Sequence, residues 1–110
     1  GKVLYVGSTL SDDGHQRSYQ LVGQVFFTSA EQFVAAFDFK EAIERVQIDL
    51  SRAHFWDITA ISSLDKVVLK LRRSGSEVEV LGLNEASATI VDKFGVHDKP
   101  EYVENMMSGH

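Results

Sequence analysis

Cysteine is absent from the chain. That excludes a disulfide framework and thiolate metal sites, and it fits a reducing compartment. Long apolar runs are also missing. None approaches the roughly 20 residues a helix needs to cross a bilayer, so this stretch spans no membrane by itself. No signal-peptide pattern is visible. Basic residues are in the minority, 11 Lys and Arg against 16 Asp and Glu. The net charge of −5 argues against a nucleic-acid or anionic-membrane binder, because either needs a basic surface. There is no glycine-rich phosphate loop of the Walker or dinucleotide kind. His15, His54, His97 and His110 lack the spacing of paired metal ligands. Neither a metal nor a cofactor is therefore expected. An initiating Met is absent too: the chain begins at Gly1, which suggests a piece of a longer protein.

What is present is ordinary for one globular domain spanning residues 1–110. The chain has 110 residues, 44% hydrophobic and 25% charged, enough for a real core. Lys2 to Val6 reads as a strand, and Asp12-Asp13-Gly14 as a turn. Arg17 to Val22 reads as a second strand, broken at Gly23-Gln24, with Val25-Phe26-Phe27 as a third. Ser29-Ala30-Glu31-Gln32 has the capping-box form and opens a short helix with Phe33, Ala36 and Phe37 on one face. Val46 to Leu50 is a nearly all-apolar strand, central in a sheet. Ile61, Leu64, Val68 and Leu71, widened by Ala60 and Val67, mark a long amphipathic helix that stops at Gly75. Glu77 to Leu81 alternates as a strand. Asn84 is expected to cap a helix carrying Ala86, Ile90, Val91 and Phe94. A last helix opens at Asp98-Lys99-Pro100-Glu101 and carries Tyr102, Val103, Met106 and Met107. The expected order is β-β-β-α-β-α-β-α-α, an α/β fold on a mixed sheet of four to five strands. The alternation in the second half implies parallel strands.

The corner between Val46 and Leu71 is the most informative part. The strand runs into a loop, Ser51 to Trp56, and Asp57-Ile58-Thr59-Ala60 opens the long helix. A helix start offers free N–H groups and partial positive charge. Asp57 is placed to cap it, with the Thr59 hydroxyl on the first turn. The same residues describe a plain N-cap, common in any α/β protein. His54 beside Asp57 suggests acid–base chemistry, but no nucleophile or metal partner accompanies them, and no catalytic residue is assigned. Asp49 reads as a hydrogen-bonded strand residue, and Phe55-Trp56 as a buried aromatic cap on the sheet end.

These motifs resemble the STAS domain, the sulfate-transporter and anti-sigma-factor-antagonist module, over the whole chain. Ile48-Asp49-Leu50-Ser51 matches the family's strand, Asp57-Ile58-Thr59-Ala60 lies on its Asp-[Ser/Thr]-[Ser/Thr]-Gly helix start, and Leu81-Gly82-Leu83-Asn84 resembles its later corner. Thr59 falls on the hydroxyl phosphorylated in the anti-sigma-factor antagonists. Ile58 in place of a small hydroxyl residue and Ala60 in place of glycine depart from them. Phe26-Phe27-Thr28-Ser29-Ala30-Glu31 and Ala53 to Ala60 look more like the C-terminal domain of bacterial SulP-type anion transporters. The resemblance implies a non-catalytic regulatory domain on the cytoplasmic face of the membrane. It implies the transporter's own transmembrane part as partner, with a cytoplasmic protein, a second copy or a nucleotide as further candidates. The alternative it implies is a free-standing anti-sigma-factor antagonist switched by phosphorylation at Thr59.

Overall fold

The computed structural model describes residues 4–88 and 90. Strand β1 (Leu4–Leu10) pairs antiparallel with β2 (Gln16–Val25) around the predicted turn. Asp13 organises that turn. Its Oδ1 accepts from the Ser11 hydroxyl at 2.7 Å and from the His15 N–H at 3.0 Å. After a 3-10 turn (Phe27–Ser29) come α1 (Ala30–Ala35), β3 (Arg45–Phe55), α2 (Ile58–Arg73), β4 (Glu77–Leu81) and α3 (Leu83–Ala86). The sheet has four strands in the order β1-β2-β3-β4. Its β2–β3 and β3–β4 pairs are parallel, so the sheet is mixed.

Several boundaries differ from the sequence reading. The second and third expected strands are one strand, because β2 continues through Gly23-Gln24 to Val25. Phe26 and Phe27 leave the ladder because side chains claim their amides. The Phe26 N–H donates to Ser29 Oγ at 3.0 Å, and the Phe27 N–H donates to Asp57 Oδ2 at 2.8 Å. Ser29 is the N-cap residue of α1, but its hydroxyl serves Phe26 and not the helix amides. The Ser29–Gln32 capping box is therefore not formed. Ala36 is exposed, while Phe33 and Phe37 are buried. The N-cap of α3 is Gly82, and Asn84 lies inside the helix. Among the described residues the order is β-β-α-β-α-β-α. Val91, Phe94 and the last helix from Asp98 to Met107 lie outside the described residues.

Helix α2 meets the sheet through the expected stripe: Ala60, Ile61, Leu64, Val67, Val68 and Leu71 are all buried. Opposite them lie Leu21 and Val25 of β2 and Val46, Ile48, Leu50, Ala53 and Phe55 of β3. Phe33 ties α1 into this core, edge-on to Phe55 at 5.8 Å and to Phe37 at 5.3 Å. The helix ends as expected. Gly75, at φ +101°, donates to the Arg72 carbonyl, and the Ser76 N–H reaches back to Leu71. That is the Schellman arrangement, which uses a left-handed residue.

Candidate functional site

The corner begins inside β3. Register with β2 slips by one residue there: Gln20 pairs with Asp49, but Val22 pairs with Arg52. A bulge of this kind bends the strand and re-aims the residues beyond it. Val46, Ile48 and Leu50 point inward before it, and Ala53 and Phe55 after it, with Ser51 and Arg52 both exposed between. The segment expected as a loop is thus strand up to Phe55, and only Trp56 and Asp57 separate it from α2. The strand persists because it still has a partner: β2 pairs with Arg52 to Phe55, and the Trp56 N–H donates to the Val25 carbonyl at 3.0 Å.

Asp57 caps α2 with extended backbone, its Oδ1 accepting from the Ala60 N–H at 2.8 Å. Its Oδ2 accepts from the Phe27 N–H, 30 residues earlier in the chain, at 2.8 Å. One carboxylate therefore closes the helix start and pins the 3-10 turn beside it. Ile58 is half-buried against the core, and Ala60 is fully buried. Of the four residues singled out in the sequence, only Thr59 is exposed.

Thr59 opens onto a groove of about 360 Å³ between α1 and α2. Ala30, Val34 and Ala35 line one wall, Ser62 and Ser63 the other, with Glu31 and Lys66 as its charged residues. Phe27, 65% exposed, belongs to the same corner. Behind it Phe26 stacks on Trp56 at 5.8 Å, and the Trp56 indole N–H donates to Gln24 Oε1. Phe55 is buried as expected, whereas Trp56 is only half-buried. Sequence reasoning missed Phe27 as a surface group, since a strand reading hides alternate residues. Its signal was the apolar pair placed just before a Ser-capped turn.

The remaining candidates do not converge here. Among the described residues His54 and Asp57 share no hydrogen bond, and His54 lies beside Gln24 in the sheet register. No group of three metal-ligating side chains occurs among the described residues. Asp49 accepts from the Ser51 N–H at 2.9 Å, and that bond, with the Ser51 hydroxyl, holds its pKa below the usual carboxylate value. Gly82 closes the neighbouring corner. At φ +79° it passes so near β3 that a Cβ there would sit 2.8 Å from the Ser51 nitrogen.

The family model described as "STAS domain" matches residues 10–107. The protein named "Putative sulfate transporter YbaR" of Bacillus subtilis (strain 168) is 44% identical over 81 residues, which are 74% of this chain and 17% of that protein. A solved structure described as an antisigma-factor antagonist, STAS domain, from Rhodobacter sphaeroides is 55% identical. It superimposes with a TM-score of 0.78, over 79% of this chain and 95% of that one. A structure of Mglu shares the fold at 24% identity and a TM-score of 0.56, over 69% of this chain and 18% of that one. The chain thus spans under a fifth of the length of its curated relative.

Proposed function

The chain belongs to the STAS family, and from that premise we propose that it is the non-catalytic regulatory domain of a SulP-type anion transporter, working on the cytoplasmic face of the membrane. The observation that carries this reading is the likeness to a protein named as a sulfate transporter, in which the matched stretch is a small part of a longer protein. Anion movement then belongs to the transmembrane part, and this domain docks on that part or on a cytoplasmic protein. The docking surface is the Thr59–Phe27 corner. Asp57 is committed to two backbone amides, so the corner is held in one shape and does not spend its carboxylate on a partner. An exposed aromatic beside an apolar groove is a usual anchor for a protein partner.

A second reading, a free-standing anti-sigma-factor antagonist switched by phosphorylation at Thr59, draws on the 55% identical structure and on the exposed Thr59. Ile58 and Ala60 count against it. Each turns a motif position into core packing. Nucleotide binding has weaker support still, because the Asp57 carboxylate already occupies the anion position at this helix start.

The test is transport by the full-length protein. Its coding sequence is expected to carry multiple apolar spans outside this domain. Thr59→Glu and Phe27→Ser are each expected to change sulfate uptake while the domain keeps its far-UV circular dichroism. Indifference of uptake to both variants and to Thr59→Ala would remove the corner from regulation. A coding sequence without membrane spans, together with phosphate incorporation at Thr59 by a kinase, would install the second reading instead.

A further inference from the structure

We propose that the groove between α1 and α2 takes an acidic amphipathic helix of a protein partner, whose carboxylates pair with Lys66 and Lys70. This helix belongs to the partner that docks on the Thr59–Phe27 corner, so it rests on that proposed role and adds the partner's chemistry. Charge is unevenly placed in this chain. Acids outnumber bases by 16 to 11, yet Lys66, Lys70, Arg72 and Arg73 all fall in the second half of α2. The exposed residues Thr59, Ser62, Lys66, Lys70 and Arg73 recur at spacings of three and four, so they share one helix face. That face is neutral at Thr59 and Ser62 and basic from Lys66 on. The helix dipole accounts for the bases in the last turn, Lys70, Arg72 and Arg73. Lys66 lies a turn earlier, outside the dipole's short reach. It lines the groove together with Glu31 of α1. The two do not meet: among the described residues neither takes part in a salt bridge. One turn on, the Lys70 ammonium sits 4.7 Å from the Phe39 ring centre, which holds a second positive charge in line with the first.

The shape of the groove selects a helix. Small side chains build its walls, Ala30 and Ala35 on α1 and Ser62 and Ser63 on α2, with Val34 packed against the core between them. Walls of this size let a third helix come within the usual 8–10 Å of its neighbours, roughly the spacing of packed helices. Carboxylates at i, i+4 and i+7 along one flank of that helix match Lys66, Lys70 and Arg73. Its other flank meets α1, where Glu31 is the only charged residue. Acids on that flank would be repelled, so the partner helix is acidic on one side only. An anionic bilayer is the poorer occupant, because the groove is concave and the net charge of −5 opposes a surface of the same sign.

Two synthetic peptides of about 15 residues, the length that spans α2 from Thr59 to Arg73, test the pairing. Both carry Leu and Ala along one face. One has Glu along the flank, and its twin has Lys there. Fluorescence anisotropy with the 110-residue chain is expected to show the Glu peptide binding about tenfold tighter at low salt, with the preference shrinking as salt rises. Lys66→Glu with Lys70→Glu is expected to reverse the preference. Arg45→Glu with Arg52→Glu makes the same change in net charge on β3 and is expected to leave it in place. All four residues are exposed, so these variants are expected to fold. Because Lys70 also touches Phe39, Lys66→Glu alone, which should shrink the preference, carries the test if the double variant loses helical circular dichroism. Equal binding of the two peptides, a preference untouched by Lys66→Glu, or an equal effect of the Arg45 and Arg52 changes would each overturn the proposal. Binding to phosphatidylglycerol vesicles that the Lys66 and Lys70 changes abolish, with neither peptide bound, would overturn it in favour of a membrane. In the full-length protein both Phe27→Ser and the Lys66 and Lys70 pair are expected to change sulfate uptake. Uptake altered by Phe27→Ser alone would keep the corner as a docking surface and overturn the acidic helix.

Discussion

Asp57 shows how much one side chain carries in this domain. Its two oxygens satisfy amides of different elements, Ala60 in α2 and Phe27 in the 3-10 turn. Removing a cap costs about 1 kcal/mol, and losing the second hydrogen bond costs about 1 kcal/mol more. Asp57→Ala is therefore expected to destabilise the domain by about 2 kcal/mol, read from the denaturant midpoint. Asp57→Asn keeps one acceptor and loses the other, so it should fall between wild type and alanine. Equal losses for the two variants would show that only one of the bonds contributes. Asp49 gives a pH signature. Its folded pKa lies below the usual carboxylate value because the Ser51 amide and hydroxyl favour its charged form. The folded state then binds fewer protons than the unfolded one through that range. The stabilisation is complete above a pH of about 4 and is lost as pH falls through the folded pKa. Asp49→Asn is expected to flatten that part of the acid limb in melts recorded across pH.

At the scale of elements, the corners are set by close approach more than by propensity. Gly82 sits in the left-handed region and against the β3 backbone at once, with Ser51 Cα only 2.9 Å from any added Cβ. Gly82→Ala combines conformational strain with a backbone clash, and a loss of about 2–3 kcal/mol is expected in thermal melts. A neutral result would mean that the β4–α3 corner shifts freely away from β3. The segment between α1 and β3 is held by a two-pronged ion pair. Arg17 Nε and Nη2 donate to Glu41 at 3.1 and 2.8 Å, both side chains being roughly four-fifths covered. Such paired geometry is worth more than a single surface contact. Arg17→Lys keeps the charge but loses the fork, and it is expected to lower the melting temperature nearly as far as Arg17→Ala does.

For the molecule as a whole, one core made by a sheet and the α2 stripe is expected to hold the fold without any bound ion. Thermal melts with and without a chelator should coincide, and a marked drop on chelation would reveal a metal site. The elements of this core were legible in the chain. The spacing of Ile61, Leu64, Val68 and Leu71, the cap at Asp57 and the stop at Gly75 each use contacts within a turn or two, so local pattern suffices to read them. The hairpin turn at Asp13 is local in the same way. The family could also be read there, because its helix start and neighbouring strand are short linear motifs. Three things were decided only in the folded molecule. Asp57 reaching Phe27 turned an expected strand into a 3-10 turn and left Phe27 at the surface. Pairing with β2 kept the segment from Ser51 to Phe55 in the sheet, where its polar residues had suggested a loop. The bulge between Asp49 and Arg52 reset which side chains of β3 face the core. Each depends on a partner far away in the chain, and the identity of a distant partner leaves no period in the local sequence.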